Sequence, residues 1–431
     1  MGTTIDECVK ALKGSTMFHM SLGSKELFHS NFLHWISIVN WDAFLKIMHG
    51  LAGLKEDETF WWEDHKCLVE GYKEKYHPDN NNLEVLREHK SFDLSIYILV
   101  EKTKRGEKKE TQKWIPVLVL ENKVKSIPHL EQLKKYQEKA KKEWRKKDCK
   151  EGRYISFILL SLWRDLPEDI LPAERIISIG PECRWAKNFY KDLFDLLSND
   201  SIVSSFKNLN KDIIIDYTKF IFSLDNLANN DWIITVERLW GAIYPWKERE
   251  YEDDPYVKLR IHDLWEKIHY EQLLKFLMEK LESKKIKITQ DKDEYQKQKD
   301  GSIVLCSSGY AHNIGLFEAW IKNGDDDYII QVQGDSYHRG YLCGKGTNLD
   351  ELKDCYFQRG MCQLDFKYKE NYSLYSFNVS NRNKVLYYTK AVITSETKIS
   401  KIIEVMYDDI THLIKNKNTT TLNFSHKVTI L

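Results

Sequence analysis

The chain has 431 residues, of which 42% are hydrophobic and 13% aromatic, and its 65 basic side chains equal its 65 acidic ones. This length predicts two domains, and this hydrophobic content excludes a disordered chain. The absence of a net charge excludes a globally basic surface, so a nucleic-acid partner would have to bind a local patch.

The cysteines and the apolar runs predict where the protein works. Eight cysteines are scattered without a Cys-x-x-Cys pair, which favours a reduced compartment over a disulfide framework or a zinc site. No run of about 18 apolar residues predicts a transmembrane helix. The first residues lack the basic and apolar regions of a signal peptide. We therefore expect a cytoplasmic protein without a membrane partner.

Hydrophobic periodicity and turn residues predict an α/β domain over residues 1–228. Its expected elements are helices at 24–39 and 41–50, strands at 83–89, 92–100 and 114–121, a helix at 128–147, strands at 154–160 and 176–179, and helices at 185–198 and 201–224. The polar segment between the second and third strands predicts a hairpin. This order predicts a mixed sheet flanked by helices.

A change of pattern near residue 228 predicts a second, α+β domain over residues 229–431. Its expected elements are helices at 232–243 and 257–284, strands at 286–289, 303–306, 328–333, 373–379 and 385–393, and a last helix at 398–416. This domain would recognise a substrate or a partner, or would regulate the first.

Polar residues at two strand ends of the first domain indicate a catalytic site. Asp93 lies at the start of the strand at 92–100, and Glu121 and Lys123 lie at the end of the strand at 114–121. Strand geometry points positions 121 and 123 to the same face. Carboxylates bind hard divalent cations, and an amine stabilises developing negative charge. Such a set favours metal-assisted cleavage of a phosphodiester.

The order of these motifs resembles that of the PD-(D/E)XK nuclease superfamily. The matching segments are Arg87-Glu88, Asp93, Glu121-Asn122-Lys123 and Glu131-Gln132-Leu133-x2-Tyr136. They are most similar to the bacterial group that carries ENK and QL-x2-Y motifs, and residues 26–33 are similar to its first helix. The resemblance covers about residues 24–225 and implies a restriction-endonuclease-like core. Phe92 replaces the proline of the family's PD pair, which takes no part in the chemistry.

The resemblance implies a role for each matching position. The metal ligands would be Asp93, Glu121, the main-chain carbonyl of Asn122 and Glu26, and the ion would be Mg2+ or Mn2+. The catalytic residues would be Asp93, Glu121, Lys123 and Gln132. Lys123 would position or deprotonate the attacking water, and Gln132 would orient the water, the lysine or a phosphate.

Several of these residues have a structural alternative. Glu26 could serve only the positive end of its helix, and Glu88, a weaker candidate, could pair with Arg87. Tyr136 is expected to pack rather than to act. The basic positions of the helix at 128–147 could follow a phosphate backbone or form a solvated face, because acidic residues are interspersed among them. The nucleic-acid-binding candidates are Lys134, Lys135, Lys142 and Arg145.

The expected function is that of a Mg2+- or Mn2+-dependent nuclease that hydrolyses DNA. By resemblance this would be an endonuclease of bacterial defence against phage or mobile DNA, with a homo-oligomer or another defence-system protein as partner. Two alternatives stay open. One is a non-catalytic module that binds nucleic acid or protein on the same fold, and the other is an RNA-cleaving enzyme with the same site.

Overall fold

The computed structural model describes most of the chain. The chain divides into two compact units, Met1–Asp231 and Trp232–Leu431. The described residues are 4–21, 25–55, 57–63, 72–73, 83–102, 111–124, 130–143, 155–164, 174–178, 184–244, 255–259, 261–289, 303–311, 314–323, 326–344, 375–378 and 384–415. The predicted domain boundary after residue 228 falls in the π-helical turn Leu227–Asp231 that ends the first unit.

The first unit alternates helices and strands. Its elements are α1 (Ile5–Gly14), α2 (Thr16–Met20), α3 (Lys25–Val39), α4 (Trp41–Ala52), β1 (Tyr72–Lys73), β2 (Leu83–His89), β3 (Phe92–Lys102), β4 (Thr111–Lys123), α5 (Leu130–Lys141), β5 (Ser156–Ser161), β6 (Ile176–Ser178), β7 (Arg184–Phe189), α6 (Tyr190–Leu197), α7 (Asp200–Val203) and α8 (Asn208–Asn226). The predicted helices and strands follow in the predicted order, and α1, α2, β1 and β7 are present in addition.

Seven strands of this unit form one mixed sheet in the order β1-β3-β4-β5-β7-β6, with β2 also paired to β3. The β4–β5 and β5–β7 pairs are parallel, and β3–β4 is antiparallel. Val117, Leu118, Val119 and Leu120 of β4 are all fully buried, so apolar side chains cover both faces of this central strand. The prediction of a mixed α/β sheet is confirmed.

The predicted helix at 185–198 is wrong in its first part. Arg184–Phe189 forms β7, and the helix begins only at Tyr190. The segment has no β-branched residue, so its composition gives little sign of a strand. Its parallel pairing with β5, which precedes β6 in the chain, makes it a strand, and β6 pairs along its other edge. The predicted helix at 201–224 is divided into α7 and α8.

The second unit contains a second sheet and its helices. Its elements are α9 (Pro255–Lys258), α10 (His262–Glu282), β8 (Ile288–Thr289), β9 (Ile303–Ala311), β10 (Ile314–Asn323), β11 (Asp326–Gln333), β12 (Ser336–Gly344), β13 (Tyr375–Asn378), β14 (Lys384–Val392) and α11 (Ile399–Lys415). The sheet order is β13-β14-β12-β11-β10-β9-β8, antiparallel except at β8–β9. The prediction of an α+β composition for this half is confirmed.

Two features of this unit differ from the predictions, because distant side chains decide them. The predicted helix at 232–243 is wrong, and only Trp240–Ala242 forms a single 3-10 turn. The Gln272 side chain accepts from Ile234 N–H and donates to the Trp232 carbonyl, both at 2.8 Å, and so takes up backbone groups that a helix would use.

Strands β10 and β12 were not predicted. In β12 the buried Arg339 donates to Asp409 of α11 at 2.6 Å. This pair compensates the burial of the Arg339 charge, and no local sequence pattern reveals it.

Among the helices that the structure describes, none combines the length and the apolar character that crossing a bilayer requires.

Candidate functional site

Strands β3 and β4 bring the predicted acids and the lysine together. The two strands pair antiparallel, with Leu94 opposite Leu120, so the start of β3 lies beside the end of β4. There the Asn122 N–H donates to Asp93 Oδ2 at 2.6 Å. Glu121 and Lys123 share one face of β4, and the Asn122 side chain points to the other. Asp93, Glu121 and Lys123 therefore meet at one end of the strand pair.

The Glu121 carboxylate is buried, and one of its oxygens contacts Lys123. Its side chain is 1% exposed, and its Oε1 lies 2.5 Å from Lys123 Nζ, whose own side chain is 10% exposed. Its Oε2 has no hydrogen-bond partner among the residues that the structure describes. A buried carboxylate oxygen without a donor is costly, so this atom indicates a place for a cation or a donor.

Burial raises the pKa of Glu121 to about 8, because the charged carboxylate loses its hydration. The Lys123 ammonium lowers this pKa, whereas the Asp93 charge raises it. A hydrogen bond from the Tyr136 side chain also lowers this pKa and favours the ionised carboxylate. The charges of Asp93 and Lys123 thus shift the pKa of Glu121 in opposite directions.

Helix α5 adds Gln132 and Tyr136 to the site. Gln132 Nε2 donates to Tyr136 Oη at 2.9 Å, one turn further along the helix. Burial raises the pKa of Tyr136, and the neighbouring Glu121 raises it further, while Lys123 lowers it. The Tyr136 ring also packs edge-on against Phe92 at 5.9 Å between centroids. Gln132 therefore reaches the carboxylates through Tyr136, a residue for which the sequence predicted only packing.

The Asn122 side chain lies on the face of the sheet opposite to Glu121 and Lys123. Tyr190 Oη donates to Asn122 Oδ1 at 2.7 Å, and both side chains are fully buried. Only its main chain is therefore available on the side of the carboxylates. Tyr190 itself carries no motif that would have identified it.

The donor set suits a hard divalent cation. Two carboxylates, one with an unpaired and buried oxygen, are the ligands that Mg2+ and Mn2+ prefer. Glu26 lies on α3, but its side chain is outside the described part of the chain. No group of three or more His, Cys, Asp or Glu residues that could hold an ion occurs within the described ranges. The fit therefore depends on Asp93, Glu121 and the main chain beside them.

Two of the basic candidates, Lys134 and Lys135, lie on α5, and Lys142 follows directly after it. Lys135 and Lys142 are exposed, Lys134 is half-buried, and Arg145 lies outside the described residues. Lys139, which was not among the candidates, donates from Nζ to Ser91 Oγ at 3.0 Å.

Glu88, the weaker acidic candidate, is exposed near the turn between β2 and β3, and its φ of 52° lies in the left-handed region. Its neighbour Arg87 donates to Asn31 Oδ1 of α3. The suggested Arg87–Glu88 pair is therefore not the contact that Arg87 makes there.

Comparisons with known proteins add no relative. A scan against protein-family models, a search of curated proteins and a search of solved structures each find no match. The resemblance to the PD-(D/E)XK superfamily therefore stays a prediction from its motifs.

Proposed function

We propose that this protein is a Mg2+- or Mn2+-dependent nuclease that hydrolyses phosphodiester bonds in DNA, and that its first unit is a restriction-endonuclease-like catalytic domain. One observation carries the proposal. Glu121 is a buried carboxylate with Lys123 on one oxygen, no hydrogen-bond partner on the other within the described part of the chain, and Asp93 on the adjacent strand. A carboxylate used only for packing would have both oxygens satisfied.

The ligands of the ion would be Asp93, Glu121 and the main chain of Asn122. When bound, the ion would lower the pKa of a coordinated water and neutralise charge on the phosphate. Glu121 binds a cation only when ionised, and the Lys123 and Tyr136 side chains favour that state. Burial keeps bulk water away and strengthens each of these electrostatic interactions.

Lys123 would supply the positive charge on the protein side. Its ammonium is held by Glu121 and stands where negative charge would develop on the phosphate oxygens. Gln132 holds the Tyr136 hydroxyl, which fixes the direction of the phenolic proton. These two side chains would orient the attacking water or a phosphate oxygen at the edge of the site.

The test is a set of cleavage assays on linear, circular and single-stranded DNA and on RNA, with Mg2+ or Mn2+. We expect the wild type to cleave DNA and Glu121→Gln to lose at least about a hundredfold in rate, as metal-ligand changes commonly do. Asp195→Asn is the matched control, because Asp195 is exposed and forms a surface ion pair with Lys191. Equal cleavage by wild type and Glu121→Gln would refute the assignment.

A second candidate is a module that binds nucleic acid or protein without cleaving it. The lack of a third ligand side chain in the described part of the chain favours it. Calorimetry with Mn2+ separates the two: millimolar affinity or better, lost in Glu121→Gln, supports the nuclease, and no binding supports the module. Preferential cleavage of RNA in the same assays would assign the site to a ribonuclease. A role in bacterial defence stays a prediction from the resemblance.

A further inference from the structure

Asn122 joins the two faces of the sheet at the candidate site. On one side its main-chain N–H donates to Asp93 Oδ2 at 2.6 Å. On the other its side-chain Oδ1 accepts from Tyr190 Oη at 2.7 Å. Asn122 lies between Glu121 and Lys123 in the chain and holds Asp93 through its N–H, so a rotation of its peptide would move all three of these side chains. A contact that fixes the Asn122 side chain therefore also fixes the positions of the two carboxylates.

The regular β3–β4 pairing does not reach this point. Its last pair on this side is Leu94 with Leu120, so on the β3 side the end of β4 depends on the Asp93 carboxylate. On the β5 side the pairing continues to Lys123 and Ser161. The end of β4 is thus held by a main-chain ladder on one edge and by side-chain hydrogen bonds elsewhere. Loss of one such bond would loosen the site without unfolding the sheet.

Tyr190 is rigidly held by the helices behind the sheet. It is the first residue of α6, directly after β7, and its side chain is fully buried. The His29 ring of α3 packs edge-on against it at 4.9 Å between centroids. His29 Nδ1 lies 2.8 Å from Tyr217 Oη of α8, and both of these side chains are fully buried as well. Three helices therefore fix the position from which the Tyr190 hydroxyl reaches Asn122.

We propose that Tyr190 is a positioning residue of the metal site: its hydroxyl sets the orientation of the Asn122 peptide, and thereby the aim of Asp93, Glu121 and Lys123. This inference rests on the proposed nuclease function. The Tyr190 hydroxyl is held in place by three helices, and it contacts Asn122, the residue that links the site's two carboxylates. Groups that orient metal ligands in this way commonly affect metal affinity and rate without touching the substrate.

The test uses Tyr190→Phe, which keeps the ring and its packing against His29 and removes only the hydroxyl. We expect Mn2+ affinity, measured by calorimetry without DNA, to fall about tenfold to a hundredfold. We expect kcat to fall about as much, with KM for DNA within about twofold of wild type, because Tyr190 lies on the face opposite the carboxylates.

Tyr270→Phe is the matched control for the general cost of losing a buried hydroxyl. Tyr270 is also buried, and its Oη accepts from Gly334 N–H at the same 2.7 Å, but it lies in the second unit. We expect Tyr270→Phe to lose stability and to keep the Mn2+ affinity and kcat of the wild type. If Tyr190→Phe also keeps both, the positioning role is refuted while the nuclease assignment stands.

A second variant tests the path through Asn122. Asn122→Leu keeps the number and branching of the side-chain heavy atoms and lacks the acceptor oxygen, so it should weaken Mn2+ binding as Tyr190→Phe does. In that background Tyr190→Phe should weaken Mn2+ binding no further, because the two changes remove the same hydrogen bond. Additive losses would refute coupling through Asn122. A wild type that neither binds Mn2+ nor cleaves would instead overturn the proposed function, and this inference with it.

Discussion

Lys123 Nζ lies 2.5 Å from Glu121 Oε1, two residues away on the same face of β4. The ammonium thus contacts a carboxylate that, in the proposed function, also binds the metal ion. The ammonium lowers the pKa of this carboxylate and so favours the ionised form that the metal needs, and in the proposed function it also acts on the phosphate. Loss of the lysine should therefore weaken both binding and catalysis, and saturating Mn2+ should restore only the binding.

Lys123→Met tests that separation, because methionine keeps much of the length and removes the charge. We expect Mn2+ affinity at neutral pH to fall, because without the ammonium the pKa of Glu121 rises and less of the carboxylate is ionised. We expect the cleavage rate at saturating Mn2+ to fall at least about a hundredfold, since the charge opposite the transition state is gone. Calorimetry and single-turnover cleavage measure the two effects.

The control for this change is Lys191→Met, at an exposed lysine paired with Asp195. It should alter neither measurement. Wild-type rates of cleavage by Lys123→Met at saturating Mn2+ would refute the catalytic role of the lysine.

The exposed lysines on α5 and directly after it can be tested as a DNA-binding face. Neutralising Lys135 and Lys142 together should lower the slope of log affinity against log salt by about 2, because two phosphate contacts release their counterions. Neutralising Lys211 and Lys219, which are exposed on α8, is the matched control. The measurement is fluorescence anisotropy with the Glu121→Gln variant, which should not cleave. An unchanged slope would identify α5 as a solvated face.

Glu88→Asn tests the weaker acidic candidate. Glu88 is exposed with a φ of 52°, a conformation that asparagine adopts more readily than glutamate. We therefore expect the free energy of unfolding to rise by about 0.5 kcal/mol in urea titrations. Cleavage and Mn2+ affinity should stay within about twofold of wild type. A loss of activity beyond about tenfold would instead make Glu88 part of the site.

Acid should destabilise the first unit through His29. Burial lowers its pKa to about 3 from the ordinary 6.5, so below pH 6.5 the unfolded chain binds a proton that the folded chain does not. The free energy of unfolding should therefore fall as the pH drops from 6.5 towards 3, by about 1.4 kcal/mol per pH unit for this group. His29→Gln should be less stable at neutral pH and show a shallower slope over that range. If the free energy of unfolding of His29→Gln changed with pH as steeply as that of the wild type, His29 would not be the cause of this dependence.

The second unit should show the opposite dependence through Glu266. Burial raises its pKa to about 7 from the ordinary 4.5, so the folded state keeps a proton that the unfolded chain releases. Its contribution to stability is full below pH 4.5 and is lost as the pH rises to about 7. Glu266→Gln should therefore raise the free energy of unfolding by about 2 kcal/mol at pH 8 and by little at pH 4. Glu279→Gln, at an exposed position of the same helix, should change neither value.

The strands that carry the site could be predicted because their own residues specify them. β3 and β4 are long apolar runs, and a polar segment between them predicted their hairpin. Strand period alone places Glu121 and Lys123 on one face. β7 and β12 could not be predicted from their own residues: β7 is a strand through its parallel pairing with β5, and the buried charge of Arg339 in β12 is compensated by Asp409 of α11.

The sequence by itself determined the mixed α/β order of the first unit and the side on which Glu121 and Lys123 project, because both follow from local periodicity. Only the tertiary structure decided that Glu121 is buried, that the Asn122 N–H holds Asp93, and that Tyr190 reaches Asn122 from behind the sheet. These contacts join residues far apart in the chain. Burial and hydrogen-bond partners depend on how segments pack, and the spacing of residues along one segment contains no information about its neighbours.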